Sequence, residues 1–167
     1  PSNSYLYLYG NMDMEEKLNW IDENYLSHFE KIEVDSEVRL QKPFAERKEE
    51  YGFYSVTEGE DTEGKAYFSY NTVCGDGLDR NLYRAFPVLS YVLVQSIGAP
   101  LKQALLDAGI GNDISCYYEE SVRQPFFSII AKNVKMEQKQ QFINVIETEL
   151  KKIVKEGLNQ QSLLAAI

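Results

Sequence analysis

The sequence is poor in the residues that most catalytic sites need. It has one histidine and two cysteines among 167 residues, too few nitrogen and sulfur donors for most self-contained zinc sites. It has no apolar run near the ~18 residues that a membrane-crossing helix needs. Basic residues are outnumbered, 17 against 26 acidic, for a net charge of −9. That balance argues against a nucleic-acid backbone as partner, because phosphate contacts require clustered lysine and arginine. No repeat or low-complexity tract is present. What remains is ordinary for a globular chain. Apolar residues make up 44%, and a chain this long hides roughly 70% of its unfolded surface without staples. We expect one domain over 1–167.

The charge is uneven. Residues 1–75 hold 16 acidic and 7 basic side chains, and residues 76–167 hold 10 of each. The first part therefore carries a negative field that favours cationic ligands or peptides and also keeps the chain in solution. Cys74 and Cys116 lie in apolar stretches and read as two buried thiols rather than a disulfide, which points to a reducing compartment. That compartment is expected to be a bacterial-type cytoplasm or an organelle lumen with reduced thiols. The chain opens on Pro1 rather than methionine, so we expect a piece of a longer polypeptide.

The element signals alternate. Ser4–Tyr9 is aromatic and β-prone, with Tyr5, Tyr7 and Tyr9 on one face of a predicted strand, read as a half-buried packing face. Asp13 and Glu16 open a helix, and Met14, Leu18, Ile21, Tyr25, Leu26 and Phe29 give it one apolar face to about Glu30. Residues 31–49 have no period and read as an extended crossing. Tyr51–Thr57 and Lys65–Val73 read as two strands of a hairpin around a polar loop. Asp79 caps a helix whose period runs through Leu82, Phe86, Leu89 and Leu93. Pro87 falls inside it, so the helix bends there or starts near Phe86. Pro100 opens a short helix that Gly109 ends. Asp113–Glu119 and Pro125–Lys132 form a second predicted hairpin. The longest helix runs from Met136 to Glu156, with Ile143, Ile146, Leu150, Ile153 and Val154 as its stripe and Gly157 as its stop. Asn159 caps a last helix, 160–167, whose apolar residues Leu163, Leu164 and Ile167 stop in mid-pattern, and we expect it to be truncated. The order β-α-β-β-α-α-β-β-α-α predicts an α+β fold, a two-layer sandwich with an antiparallel or mixed sheet and helices on one face.

No motif supplies chemistry. His28 has Asn24, Tyr25 and Lys31 as helical neighbours, none a usual zinc ligand, and reads as a structural residue near a helix C-terminus. Asp76 and Asp79 lack the alternating oxygen ligands of a calcium loop and read as a turn and a cap. Glu15 and Glu16 are adjacent on a helix and point apart, so they are not an acid/base pair. Gly75-x-Gly77 and Gly109-x-Gly111 lack the third glycine or the strand-to-helix order of a dinucleotide loop. Ser55, Ser90 and Ser96 have no histidine in a recognisable nucleophile motif. We therefore assign no catalytic, cofactor-binding or metal residue, and no substrate-contact residue can be named.

Several segments taken together are familiar: Gly10-Asn-Met-Asp13 after the aromatic strand, the helix ending Tyr25-Leu-Ser-His-Phe29, the run from Ser96-Ile-Gly-Ala-Pro100 to Gly111-Asn-Asp113, Gln124-Pro-Phe-Phe127, and Gly157-Leu-Asn159. Their order and spacing resemble the insulinase-like (pitrilysin) zinc metallopeptidases, in the presequence-protease branch, over essentially the whole chain. The opening Pro1-Ser-Asn-Ser-Tyr5 resembles the junction between that family's first and second domains. The resemblance implies a parent of four related α/β domains in two halves around a closed chamber. An inverted His-x-x-Glu-His and a distant glutamate hold zinc on the first domain, and arginine and tyrosine groups that assist the substrate come from the last. Peptides bind in the chamber, partly by adding a strand to a sheet edge. This chain then corresponds to the second, non-catalytic domain. It would pack on the zinc-bearing domain and wall the peptide chamber of a metalloendopeptidase, with zinc in the parent and none here. Its partners would be peptide substrate and neighbouring domains, with no nucleic acid and no membrane. The alternative is a zinc-less structural or interaction subunit of the same superfamily.

Overall fold

The computed structural model describes residues 1–167. They fall into two compact units, Pro1–Arg39 and Leu40–Ile167.

The first unit holds one helix, α1 (Met14–Asn24), followed by a 3-10 turn at Leu26–His28. Asp13 is the N-cap and accepts from the Glu16 amide at 3.0 Å, and Glu15 and Glu16 sit in the first turn, where the exposed amides favour negative charge. No residue of α1 is buried. The expected strand Ser4–Tyr9 is not formed. Tyr5, Tyr7 and Tyr9 are exposed rather than half-buried. β-Propensity describes how a segment fits a partner's surface, and no strand pairs with this one.

The second unit carries β1 (Ala66–Val73), α2 (Arg80–Ser90), α3 (Pro100–Asp107), β2 (Asp113–Glu119), β3 (Phe126–Val134), α4 (Lys139–Glu156) and α5 (Gln160–Ala166). Asp79 caps α2 by accepting from the Asn81 and Leu82 amides. The helix starts at Arg80, continues through Pro87 and widens into a π turn at Tyr91–Gln95. Pro100 stands at the start of α3. Gly157, at φ +87°, ends α4, and the Asn159 side chain accepts from the Ser162 amide at 2.9 Å to start α5.

The sheet is antiparallel, in the order β1-β3-β2. Register puts Phe68, Ala131 and Ile114 on one rung, Tyr70, Ile129 and Cys116 on the next, and Thr72, Phe127 and Tyr118 on the third. Most of these join the apolar core, with Leu93 and Val94 of the π turn, Leu101 and Leu105 of α3, and Phe142, Ile143 and Ile146 of α4. That is the two-layer α+β arrangement, helices on one face of an antiparallel sheet. Two expected details differ. Val154 is exposed, and Phe142 takes a place in the α4 stripe. Tyr51–Thr57 does not form a strand, so the first hairpin is absent and β1 has an open edge. The crossing before it has no regular structure, as expected. It is held by the Gln41 amide donating to Gln124 Oε1 at 2.6 Å, by Arg47–Glu147 at 3.2 Å and by Lys139–Glu49 at 2.8 Å.

Candidate functional site

Because side chains alternate along a strand, the residues between the core rungs form a second, open face. Its rungs are Tyr67–Lys132–Asp113, Ser69–Ile130–Ser115, Asn71–Ser128–Tyr117 and Val73–Phe126–Glu119. Hydroxyl and amide groups fill the middle. The Ser69 and Ser128 hydroxyls both donate to Asn71 Oδ1, at 2.8 and 2.6 Å. Ser128 is buried, so that bond satisfies a hydroxyl that would otherwise cost free energy. Charge lies at the two ends. Lys132 pairs with Asp113 at 2.9 Å, and this pairing raises the lysine pKa. At the other end the Tyr117 hydroxyl donates to Glu119 Oε2 at 2.5 Å. Donation from Ser121 and Tyr117 holds the Glu119 carboxyl below its ordinary value, and the same bond pushes the Tyr117 phenol up. Tyr67, Val73 and Tyr117 are all more than half or about half exposed, at 52%, 58% and 50%. Between its charged ends the face offers aromatic rings and neutral hydrogen-bonding groups. It was not singled out from sequence. Its signal, polar residues alternating with apolar ones in Ala66–Val73 and Asp113–Glu119, is the ordinary pattern of a sheet with one side free.

Among the residues weighed from sequence, Asp76, Asp79, Glu16 and Ser90 have local partners. His28 is exposed in the last turn after α1. Asp76 accepts from the Leu78 amide at 3.0 Å and pairs with Arg123 at 2.9 Å, while Asp79 is the α2 cap. Glu16 pairs with Lys17 at 2.8 Å. The Ser90 hydroxyl donates to the Phe86 carbonyl at 2.9 Å. Both cysteines are free. Cys74 Sγ lies 3.3 Å from the Thr72 carbonyl and Cys116 Sγ 3.6 Å from that of Ser90, and burial pushes both thiols up. A raised thiol is a poor nucleophile and a poor metal ligand at neutral pH. Gly77 and Gly111 make close backbone approaches. A Cβ would come to 2.7 Å from the Val122 carbonyl in the first case and 2.5 Å from that of Lys132 in the second.

Zinc does not fit these residues. Three or four converging histidine, cysteine or carboxylate groups are required, and no group of three such side chains comes together. No helix is long and apolar enough to cross a membrane.

Against known proteins, the chain is 43% identical over 167 residues to Protein HypA of Clostridium perfringens (strain 13 / Type A), covering 100% of this chain and 17% of that protein. It is 28% identical over 171 residues to Presequence protease 1, chloroplastic/mitochondrial, of Arabidopsis thaliana, and 25% over 174 residues to the mitochondrial presequence protease of Xenopus tropicalis. All of this chain is covered in each case, against 16% and 17% of those proteins. The chain thus spans about one sixth of the length of these relatives. The Peptidase M16 inactive domain family matches residues 1–167, and with that match end to end the chain belongs to this family.

Proposed function

We propose that this chain is a catalytically silent domain of a longer zinc metalloendopeptidase, packed on the zinc-bearing domain and walling the chamber in which peptides are held. The observation that carries the reading is the match of the whole chain to the M16 inactive domain, and two features support it. No cluster of potential metal ligands exists in the chain, so the metal and its chemistry would reside elsewhere in the parent. The sheet leaves one face open, with rings and neutral polar groups at Tyr67, Asn71, Ser115 and Tyr117 suited to line a wall. The acidic excess of residues 1–75 suits cationic peptides. Two free thiols suit a reducing compartment, a bacterial-type cytoplasm or an organelle lumen.

The test compares the whole polypeptide with residues 1–167 alone, measuring bound zinc after dialysis and turnover of a quenched basic peptide. The whole polypeptide should hold one zinc on an upstream His-x-x-Glu-His and lose activity to a chelator, and the 167-residue chain should hold none and turn over nothing. Chelator-sensitive turnover that co-purifies with the short chain would overturn the assignment. A whole polypeptide without zinc or activity would replace it with the structural-subunit reading.

A further inference from the structure

The two acidic residues of the open sheet face have different neighbours. Asp113, at one end, has Lys132 as its partner at 2.9 Å. Glu119, at the other end, is in none of the chain's ion pairs. The nearest arginine in sequence, Arg123, is taken by Asp76 at 2.9 Å. Neutral donors hold Glu119 instead. The Ser121 amide donates to Oε1 at 2.9 Å, the Ser121 hydroxyl donates to the same oxygen, and the Tyr117 hydroxyl donates to Oε2 at 2.5 Å. These bonds fix the position of the carboxylate and remove none of its charge. An ionised carboxylate offers about four lone-pair sites, so room remains for a donor from outside.

Aromatic rings stand beside this carboxylate. Tyr117 and Glu119 are two apart on β2 and so share the open side, and Phe126 of β3 is the register partner of Glu119. The rings of Tyr117 and Phe126 meet edge-on with centroids 6.4 Å apart. Tyr117 is half-exposed. Glu120, exposed and likewise in no ion pair, adds to the negative field at this corner.

We propose that this corner of the sheet is a subsite for the guanidinium group of an arginine in a peptide lying on the open face, stacked on the Tyr117 ring and donating to Glu119. Charge complementarity selects a cation: the carboxylate is preformed and has no counter-charge of its own, in a chain of net charge −9. The rings select among cations. A guanidinium is planar and weakly hydrated, so it stacks on an aromatic face while its N–H groups reach a carboxylate, whereas an ammonium is a compact, strongly hydrated point charge. At the opposite end of the face Lys132 already neutralises Asp113, so the attraction is confined to one corner and gives a bound peptide a direction. That the occupant is a peptide rests on the proposed function. The affinity for a guanidinium follows from Tyr117 and Glu119 alone.

The test is a nuclear magnetic resonance titration of the 167-residue chain with a capped serine-rich peptide carrying one central arginine, alongside its lysine and citrulline counterparts. The arginine peptide should shift the amides of Tyr117, Glu119 and Ser121. The lysine peptide should bind more weakly, and the citrulline peptide, of the same shape without the charge, should leave these amides in place. Glu119→Gln should weaken arginine binding by about threefold or more, and Tyr117→Ser by a similar factor. Tyr117→Phe, which keeps the ring, should hold the peptide to within about twofold. Glu15→Gln, which removes an equal charge from α1, should change nothing. Both Glu119 and Tyr117 lie at the surface of an edge strand, and an unchanged amide spectrum away from this corner verifies that each variant is folded. Equal shifts from the arginine and citrulline peptides, an affinity unmoved by Glu119→Gln, or no shift at these amides would overturn the subsite. Zinc and turnover do not enter this readout. Arginine-selective binding beside an inactive, zinc-free whole polypeptide would uphold the subsite and remove only the enzymatic reading.

Discussion

Helices α1 and α4 begin from similar instructions. Each has a polar start, an apolar period and no internal proline or glycine. Their fates differ. α4 runs 18 residues and buries Phe142, Ile143 and Ile146, whereas α1 runs 11 residues, buries nothing and leaves Leu18 and Trp20 more than half exposed. A helix of α1's length is marginal in water on its own, and in most proteins a packed face supplies the missing stability. Pro1–Arg39 carries 9 acidic against 3 basic residues, so self-repulsion adds nothing to hold it. The two units show that an amphipathic pattern licenses a helix and a buried face secures it.

The sharpest way to break the comparison is to truncate matched leucines. Leu101 of α3 is fully buried, and Leu18 of α1 is 53% exposed. Leu101→Ala should cost about 2–5 kcal/mol, the transfer of its side chain plus the cavity left behind. Leu18→Ala should change global stability by no more than about 0.5 kcal/mol. Urea unfolding followed by tryptophan-independent far-ultraviolet circular dichroism reads both. Equal losses would mean that Pro1–Arg39 shares the cooperative core.

The caps give a smaller contrast. Asp79 accepts from two amides at the head of α2, whose apolar face packs on the core through Phe86 and Leu89. Asp13 accepts from one amide at the head of unburied α1. Asp79→Ala should lower global stability by about 1 kcal/mol. Asp13→Ala should leave the unfolding midpoint in place and instead reduce the pre-transition helical signal, because it acts on a local helix–coil balance. A midpoint shift in the Asp13 variant as large as that for Asp79 would erase the distinction.

How much was legible follows from the same contrast. Four helix ends were, because caps and stops are local chemistry: Asp13, Asp79, Asn159 and Gly157 all sit where the sequence puts them, whereas the first helix stops at Asn24 rather than near Glu30 and the longest begins at Lys139 rather than Met136. Strands β2 and β3 were legible because their apolar residues match a sheet buried on one side. Ser4–Tyr9 was not, since strand formation belongs to a pair and the aromatic run has no ladder partner. The wide turn after Pro87 and the register shift between β1 and β3 at Ala66, where Asn133 takes φ +57°, were also invisible, because both are set by tertiary fit. Gly111, half of a dinucleotide fingerprint by spacing but in the wrong element order, makes a close packing approach to the Lys132 carbonyl. Of the candidate site, the three strands that carry it could be read from their β-prone runs. The open sheet face could not, since choosing which alternate residues stay uncovered needs the position of the helix layer.

The smallest effect concerns α5, which lies between the two extremes. Leu163 is half-buried, while Leu164 is exposed at 76%. Seven residues cannot sustain a helix by propensity alone, so α5 depends on the limited contact that Leu163 provides. Leu163→Ala should cost under about 1 kcal/mol, a fraction of a full burial, and Leu164→Ala should be neutral within about 0.5 kcal/mol. Hydrogen exchange ranks the helices more finely than either midpoint. Amides near the middle of α4, around Ile146 and Leu150, should be slowest, those of residues 163–166 faster, and those of α1 fastest, following the depth to which each helix is buried. Protection in α5 equal to that in α4, in a chain shown by sedimentation to be monomeric, would mean that Leu163 is a full member of the core and that its half-exposure understates its packing. Protection in α1 above that in α5 would invert the ranking and require a buried partner for Trp20 and Leu18.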